Sequence, residues 1–125
     1  MRHFIGFYGY PKEAEGLVSN GRYQMALDNI GRDKRLTPEE KRKFKAAIAA
    51  TACVDFAVLA RSRGTPISLK VDMRLDALGW AETALSLGMD IDTSHLRTLL
   101  RRDIARLPPG VTTPFYGINH HHLLR

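Results

Sequence analysis

After Thr37 the chain opens a helix with every start signal present and then runs to Gly64 without another proline or glycine. Thr37 can cap, Pro38 suits the first helical position, and Glu39 and Glu40 suit the positive end of the helix dipole. Glu40 stands three residues after Thr37, which completes a capping box. The predicted helix spans 38–63, with Gly64 as its stop. Phe44, Ile48, Ala52, Phe56 and Leu59 form one apolar stripe, and Ala47, Ala50, Val54 and Val58 form its neighbour. A helix apolar over that much of its circumference must be covered on several sides, so it is a central core helix. Only its first two turns, rich in Lys and Arg, are expected to reach solvent.

The rest of the chain is long enough to supply that cover. Its 125 residues suit a single domain, 1–125, which can bury a sizeable core without metal or disulfide. The lone Cys53 excludes an internal disulfide and a four-cysteine zinc site. Residues 11–31 read as short helical turns punctuated by Gly16, Gly21 and Gly31. Thr65-Pro66-Ile67-Ser68-Leu69-Lys70-Val71 alternates apolar and polar, so a short strand is predicted there. Asp72 would cap a helix over 72–87 that ends at Gly88 and keeps Trp80 on its apolar half. Asp92 or Thr93 would then cap a last helix over 93–107, stopped by Pro108-Pro109-Gly110. Residues 1–10 and 108–125 read as extended arms. The predicted fold is therefore mainly α, a compact helical domain with a long central helix and a minor β component.

No membrane span is expected. The longest apolar stretch, Ala46 to Ala60, has 15 residues and contains Asp55, whereas a bilayer takes about 20. The N-terminal residues lack the apolar run of a signal peptide, and a cytoplasmic location is the expectation, in keeping with the single thiol.

Charge is distributed unevenly. Of the +6 formal charge, +4 falls between Arg32 and Lys45 and +3 between His95 and Arg106, with the remainder of the chain slightly acidic. In the last helix, Leu96, Leu99, Leu100, Ile104 and Leu107 share one arc, while His95, Arg97, Thr98, Arg101, Arg102 and Arg106 take the opposite one. Arginine dominates the basic residues, and its planar fork suits phosphates and guanine edges.

Residues 76–106 resemble a helix-turn-helix reader. A helix bearing Ala81, Ala84 and Leu85 closes at Gly88, a turn follows, and a second helix opens with Thr93, Ser94 and His95. With the strand before it and a hairpin at 108–118 after it, the order over 66–118 is similar to that of a winged helix. The resemblance implies that the second helix enters the major groove. His95, Arg97, Thr98 and Arg101 would then face base edges, and Arg102 and Arg106 phosphates. Lys34, Arg35, Lys41, Arg42 and Lys45 would add phosphate contacts. The expected partner is nucleic acid, in the first instance duplex DNA, bound by a regulator or accessory factor that pairs as a homodimer to match a two-fold site.

Nothing points to an enzyme or a cofactor. Three adjacent histidines, His120, His121 and His122, spread around any regular backbone instead of converging on a metal. Cys53 sits among apolar neighbours with no flanking cation, which reads as inert packing. Asp55, on a mostly apolar helix, calls for a structural partner such as an arginine or a tyrosine hydroxyl. Tyr8, Tyr10, Phe115 and Tyr116 suit anchors for the chain ends. No phosphate loop is present. The other function class consistent with this pattern is a helical adaptor or inhibitor, in which Arg97, Arg101, Arg102 and Arg106 meet an acidic protein surface.

Overall fold

The helix start at Thr37 is present in full. In the computed structural model, which describes residues 11–108 and Gly110, Thr37 Oγ1 accepts from the Glu40 amide at 3.1 Å. The Glu40 carboxylate in turn accepts from the Thr37 amide at 2.9 Å. Five helices occupy most of the described residues: α1 (Lys12–Ser19), α2 (Tyr23–Arg32), α3 (Pro38–Leu59), α4 (Ile67–Ser86) and α5 (Ser94–Ala105). The mainly helical, compact fold is as the pattern predicts, with α3 at its centre.

Three apolar clusters hold the helices together. In the first, Ala14 and Val18 of α1 and Tyr23, Ala26 and Ile30 of α2 close over Phe44, Ala47, Ile48 and Ala52 of α3. The second joins α3 to α4 through Cys53, Ala77 and Ala81, small residues that let two helices approach closely. The third sets Val71, Leu75 and Leu78 of α4 against Leu100 of α5, flanked by Ile67, Leu96, Ile104 and Leu107. Trp80 joins the first two clusters and meets Tyr23 edge-on, with ring centroids 5.7 Å apart. The Tyr23 hydroxyl donates to Asp55 Oδ2 at 2.5 Å, so Asp55 finds the kind of structural partner its position demands.

The strand at 65–71 does not form. Residues 67–71 are the first turns of α4, with Pro66 at its N-cap. Ile67, Leu69 and Val71 satisfy a period of two, but Ile67, Val71, Leu75 and Leu78 satisfy the helical period over a longer stretch. Packing against α5 rewards the longer pattern and leaves Leu69 44% exposed. Asp72 consequently lies inside α4 and caps nothing, and the helix runs 67–86 in place of 72–87. The described residues contain no strand, so neither a minor β component nor a winged-helix order is supported. The arm at 1–10, most of the hairpin at 108–118, and His120, His121 and His122 lie outside the described residues.

Two further boundaries shift. The central helix ends at Leu59, short of 63, and a turn through Arg61 and Ser62 leads to Gly64 at φ +80°. Its last turns are more exposed than its apolar stripes predict: Val58 is 54% and Leu59 49% accessible. Among the described residues, the stripes continue beyond the elements that cover them. The last helix spans 94–105 where 93–107 was expected; Asp92 Oδ1 accepts from the Ser94 amide at 3.0 Å and organises its entry. No helix of the described residues is long and apolar enough to cross a membrane.

Candidate nucleic-acid interface

The arginine-bearing helix α5 folds back along α4 as the second arm of a helical hairpin. The pairing fixes its direction. Arg97, near the start of α5, lines a hollow with Leu78, Ala81 and Leu85, whereas Asp103, near its end, meets Arg74. Positions rise along one helix as they fall along the other, so the two run antiparallel. Leu96, Leu100 and Ile104, four residues apart, face α4 throughout.

The opposite face carries the charge. His95, Thr98, Arg101, Arg102 and Arg106 are exposed, as their place on the helix predicts. Arg97 differs from them. It is only partly exposed, and its Nε donates back to Thr93 Oγ1 at 3.0 Å. Thr98 Oγ1 donates to the Ser94 carbonyl at 3.0 Å, which also directs it along the helix. The first turns of α5 thus offer fewer outward-reaching groups than the resemblance implies.

The basic run at 32–45 performs a different task. Lys41 Nζ donates to the Gly31 carbonyl, at 2.9 Å, in the last turn of α2. Arg42 Nη1 donates to the Leu87 carbonyl at 2.8 Å, at the C-terminal end of α4, while its other nitrogens hold Glu39. Cations at helix C-termini satisfy orphan carbonyls and complement the dipole. Arg35 grips Asp33 with Nε and Nη2, at 3.0 and 2.9 Å, and this pairing holds the Asp33 carboxyl down at about 2. Lys45 is partly exposed, its ammonium lying against Gly31. Of the five proposed contacts in this run, Lys34, Arg35 and Arg42 are exposed, and Lys41, Arg42 and Arg35 are bonded to groups close by.

The far end of α5 lies away from the basic run at 32–45. Arg42 sits at the Leu87 end of α4, and Arg106 sits near Asp103, which pairs with Arg74. Leu87 lies thirteen positions after Arg74 along α4 and its cap, roughly 20 Å at about 1.5 Å per residue. Comparison with protein-family models, with curated proteins and with solved structures finds no match to this chain. Its function must be read from its own side chains.

Two residues outside the expected set shape the site. Arg74 and Asp103 form an ion pair whose side chains are 4% and 3% exposed. Asp103 occupies the leucine-bearing side of α5, where a carboxylate without a partner would be costly; that position is a signal legible in the sequence. Burial lowers the Arg74 pKa, and the nearby charges of Arg102 and Arg61 lower it further. Elsewhere the chemistry is quiet. Burial pushes the Cys53 thiol up to about 11, which removes the thiolate needed for reactivity. Among the described residues no three His, Cys, Asp or Glu side chains are grouped to hold a metal ion.

Proposed function

We propose that this chain is a small, non-enzymatic nucleic-acid-binding protein that holds duplex DNA mainly through backbone phosphates, as a regulator or accessory factor in the cytoplasm. One observation carries the reading. Arg101, Arg102 and Arg106 are exposed on one side of α5, whose other side is packed onto α4 by Leu96, Leu100 and Ile104. Guanidinium groups on a fixed helix can be presented to phosphates without ordering a loop first, and phosphate contacts supply most of the affinity of such proteins. The bonding of Arg97 and Thr98 back along α5 supports backbone contact over base readout.

A second reading has its own support. Val58, Leu59 and Leu69 are exposed near the turn that carries Arg61 and Arg63. Exposed apolar side chains beside cations suit an adaptor or inhibitor that binds an acidic protein surface. The two readings part at one experiment. A fluorescent duplex titrated at low salt is expected to bind, and Arg101→Ala with Arg102→Ala is expected to weaken binding at least tenfold while the helical circular dichroism stays the same. No binding by the unaltered chain at low salt overturns the nucleic-acid reading.

A further inference from the structure

The end of the α4–α5 hairpin gathers more positive charge than the fold itself uses. Asp103 lies at its centre. One carboxylate oxygen takes Arg74, and the other is 4.0 Å from Arg106 Nη1, at the outer limit of an ion pair. Arg106 nevertheless remains largely in solvent, with a side chain 62% exposed. Arg102 precedes Asp103 on α5 and stands four residues before Arg106, so the two share a face. Arg61 comes from another element, the turn after α3, which the Arg61 amide closes onto the Val58 carbonyl at 3.0 Å. That turn leads into Ile67, which packs on the same apolar cluster as Ile104 and Leu107, so it stands at this end of the hairpin. The charges of Arg61 and Arg102 both act on Arg74.

Arg61, Arg74, Arg102 and Arg106 thus belong to the end of the hairpin that holds Asp103, and of these Arg74 pairs with it and Arg106 reaches it at the outer limit. Arg74 and Asp103 neutralise each other below the surface. Arg61 and Arg102 form no ion pair with any carboxylate among the described residues, and both are exposed. Like charges held together without counter-charge oppose folding, so their surplus suits a ligand that supplies the missing anion.

We propose that Arg61, Arg102 and Arg106, set over the buried Arg74–Asp103 pair, form a phosphate-binding site that receives the backbone of the bound nucleic acid. The site rests on the nucleic-acid reading and deepens it, because it adds a residue of the α3–α4 turn that a helix-turn-helix pattern would not include. Asp103 positions it. It holds Arg74 inside the hairpin and keeps its second oxygen toward Arg106, at 4.0 Å. Arginine suits this task because its fork can donate two hydrogen bonds to one phosphate.

The test uses the full chain and a fluorescent DNA duplex, with affinity measured over a series of salt concentrations. Arg61→Ala is expected to weaken binding severalfold and to make the log–log salt slope shallower by about 0.9, the value for one phosphate contact. Arg61→Lys is expected to restore the slope, since counterion release depends on charge. Lys12→Ala, exposed on α1 and outside every proposed contact, is expected to leave the slope near that of the unaltered chain. If the unaltered chain binds with a steep slope and Arg61→Ala matches it in slope and affinity, the site is overturned and the nucleic-acid reading stands. If the unaltered chain does not bind at all, both fall. Thermal unfolding of each variant guards the comparison; should Arg61→Ala lose its cooperative transition, Arg102→Ala takes its place with the same expected change.

Discussion

At the scale of single residues, the Arg74–Asp103 pair decides how α5 sits. Taking two charges out of water is costly, and only their mutual contact offsets that cost. Removing one partner leaves the other buried and uncompensated. Asp103→Ala is therefore expected to lower stability by about 3–5 kcal/mol in denaturant unfolding. Arg74→Met combined with Asp103→Leu is expected to come much closer to the unaltered chain, because an apolar pair of similar volume can fill the same space. A second carboxylate gives a pH signature. Burial, with help from Asp72 one turn earlier, pushes Asp76 up from 3.8 to about 6. The folded state holds this proton more tightly than the unfolded chain does, so ionisation works against the fold. Its contribution favours folding at low pH and is lost as pH rises from 3.8 to about 6. Because Asp76 is only partly buried, solvent screening keeps the effect modest. The difference in stability between Asp76→Asn and the unaltered chain, measured from pH 4 to 7, should grow in favour of the variant as pH increases. A constant difference would mean that Asp76 titrates as it does in the unfolded chain.

At the scale of helices, the boundaries written by local chemistry were legible and those set by packing were not. Thr37, Pro38 and Glu40 act within one turn, so the sequence alone places the start of α3. Thr37→Ala should cost about 1 kcal/mol, read as a lower unfolding midpoint. Gly88 is equally local. It has φ +93°, and the space a Cβ would fill is taken by Arg42 Nη1 at 2.8 Å. Gly88→Ala strains the backbone and displaces the cation from the end of α4, with an expected loss of about 1 kcal/mol or more. The start of α4 is a different case. Thr65 to Val71 alternates as a strand does, and only the contact of Ile67 and Val71 with α5 residues selects the helix. That information lies more than 25 residues away along the chain. The same limit hid the role of Lys41 and Arg42: a basic run is visible in sequence, but the helix ends it caps are not.

At the scale of the whole molecule, the two basic regions divide their work. The run at 32–45 binds the ends of α2 and α4 and holds the fold together. The outer face of α5, joined by Arg61 at its far end, carries the exposed arginines on which the proposed phosphate contacts rest. The arginine face of α5 was readable from the helical spacing of its leucines alone. The loss of Arg97 to Thr93 and the arrival of Arg61 from another element were not, because both depend on how the hairpin closes. Salt dependence measures the consequence most directly. With Arg61, Arg101, Arg102 and Arg106 engaged, binding of the unaltered chain to duplex DNA should weaken steeply with salt, with a log–log slope of about −3.6 at roughly −0.9 per phosphate. A slope near zero, or no complex at low salt, would contradict a phosphate-binding role for α5.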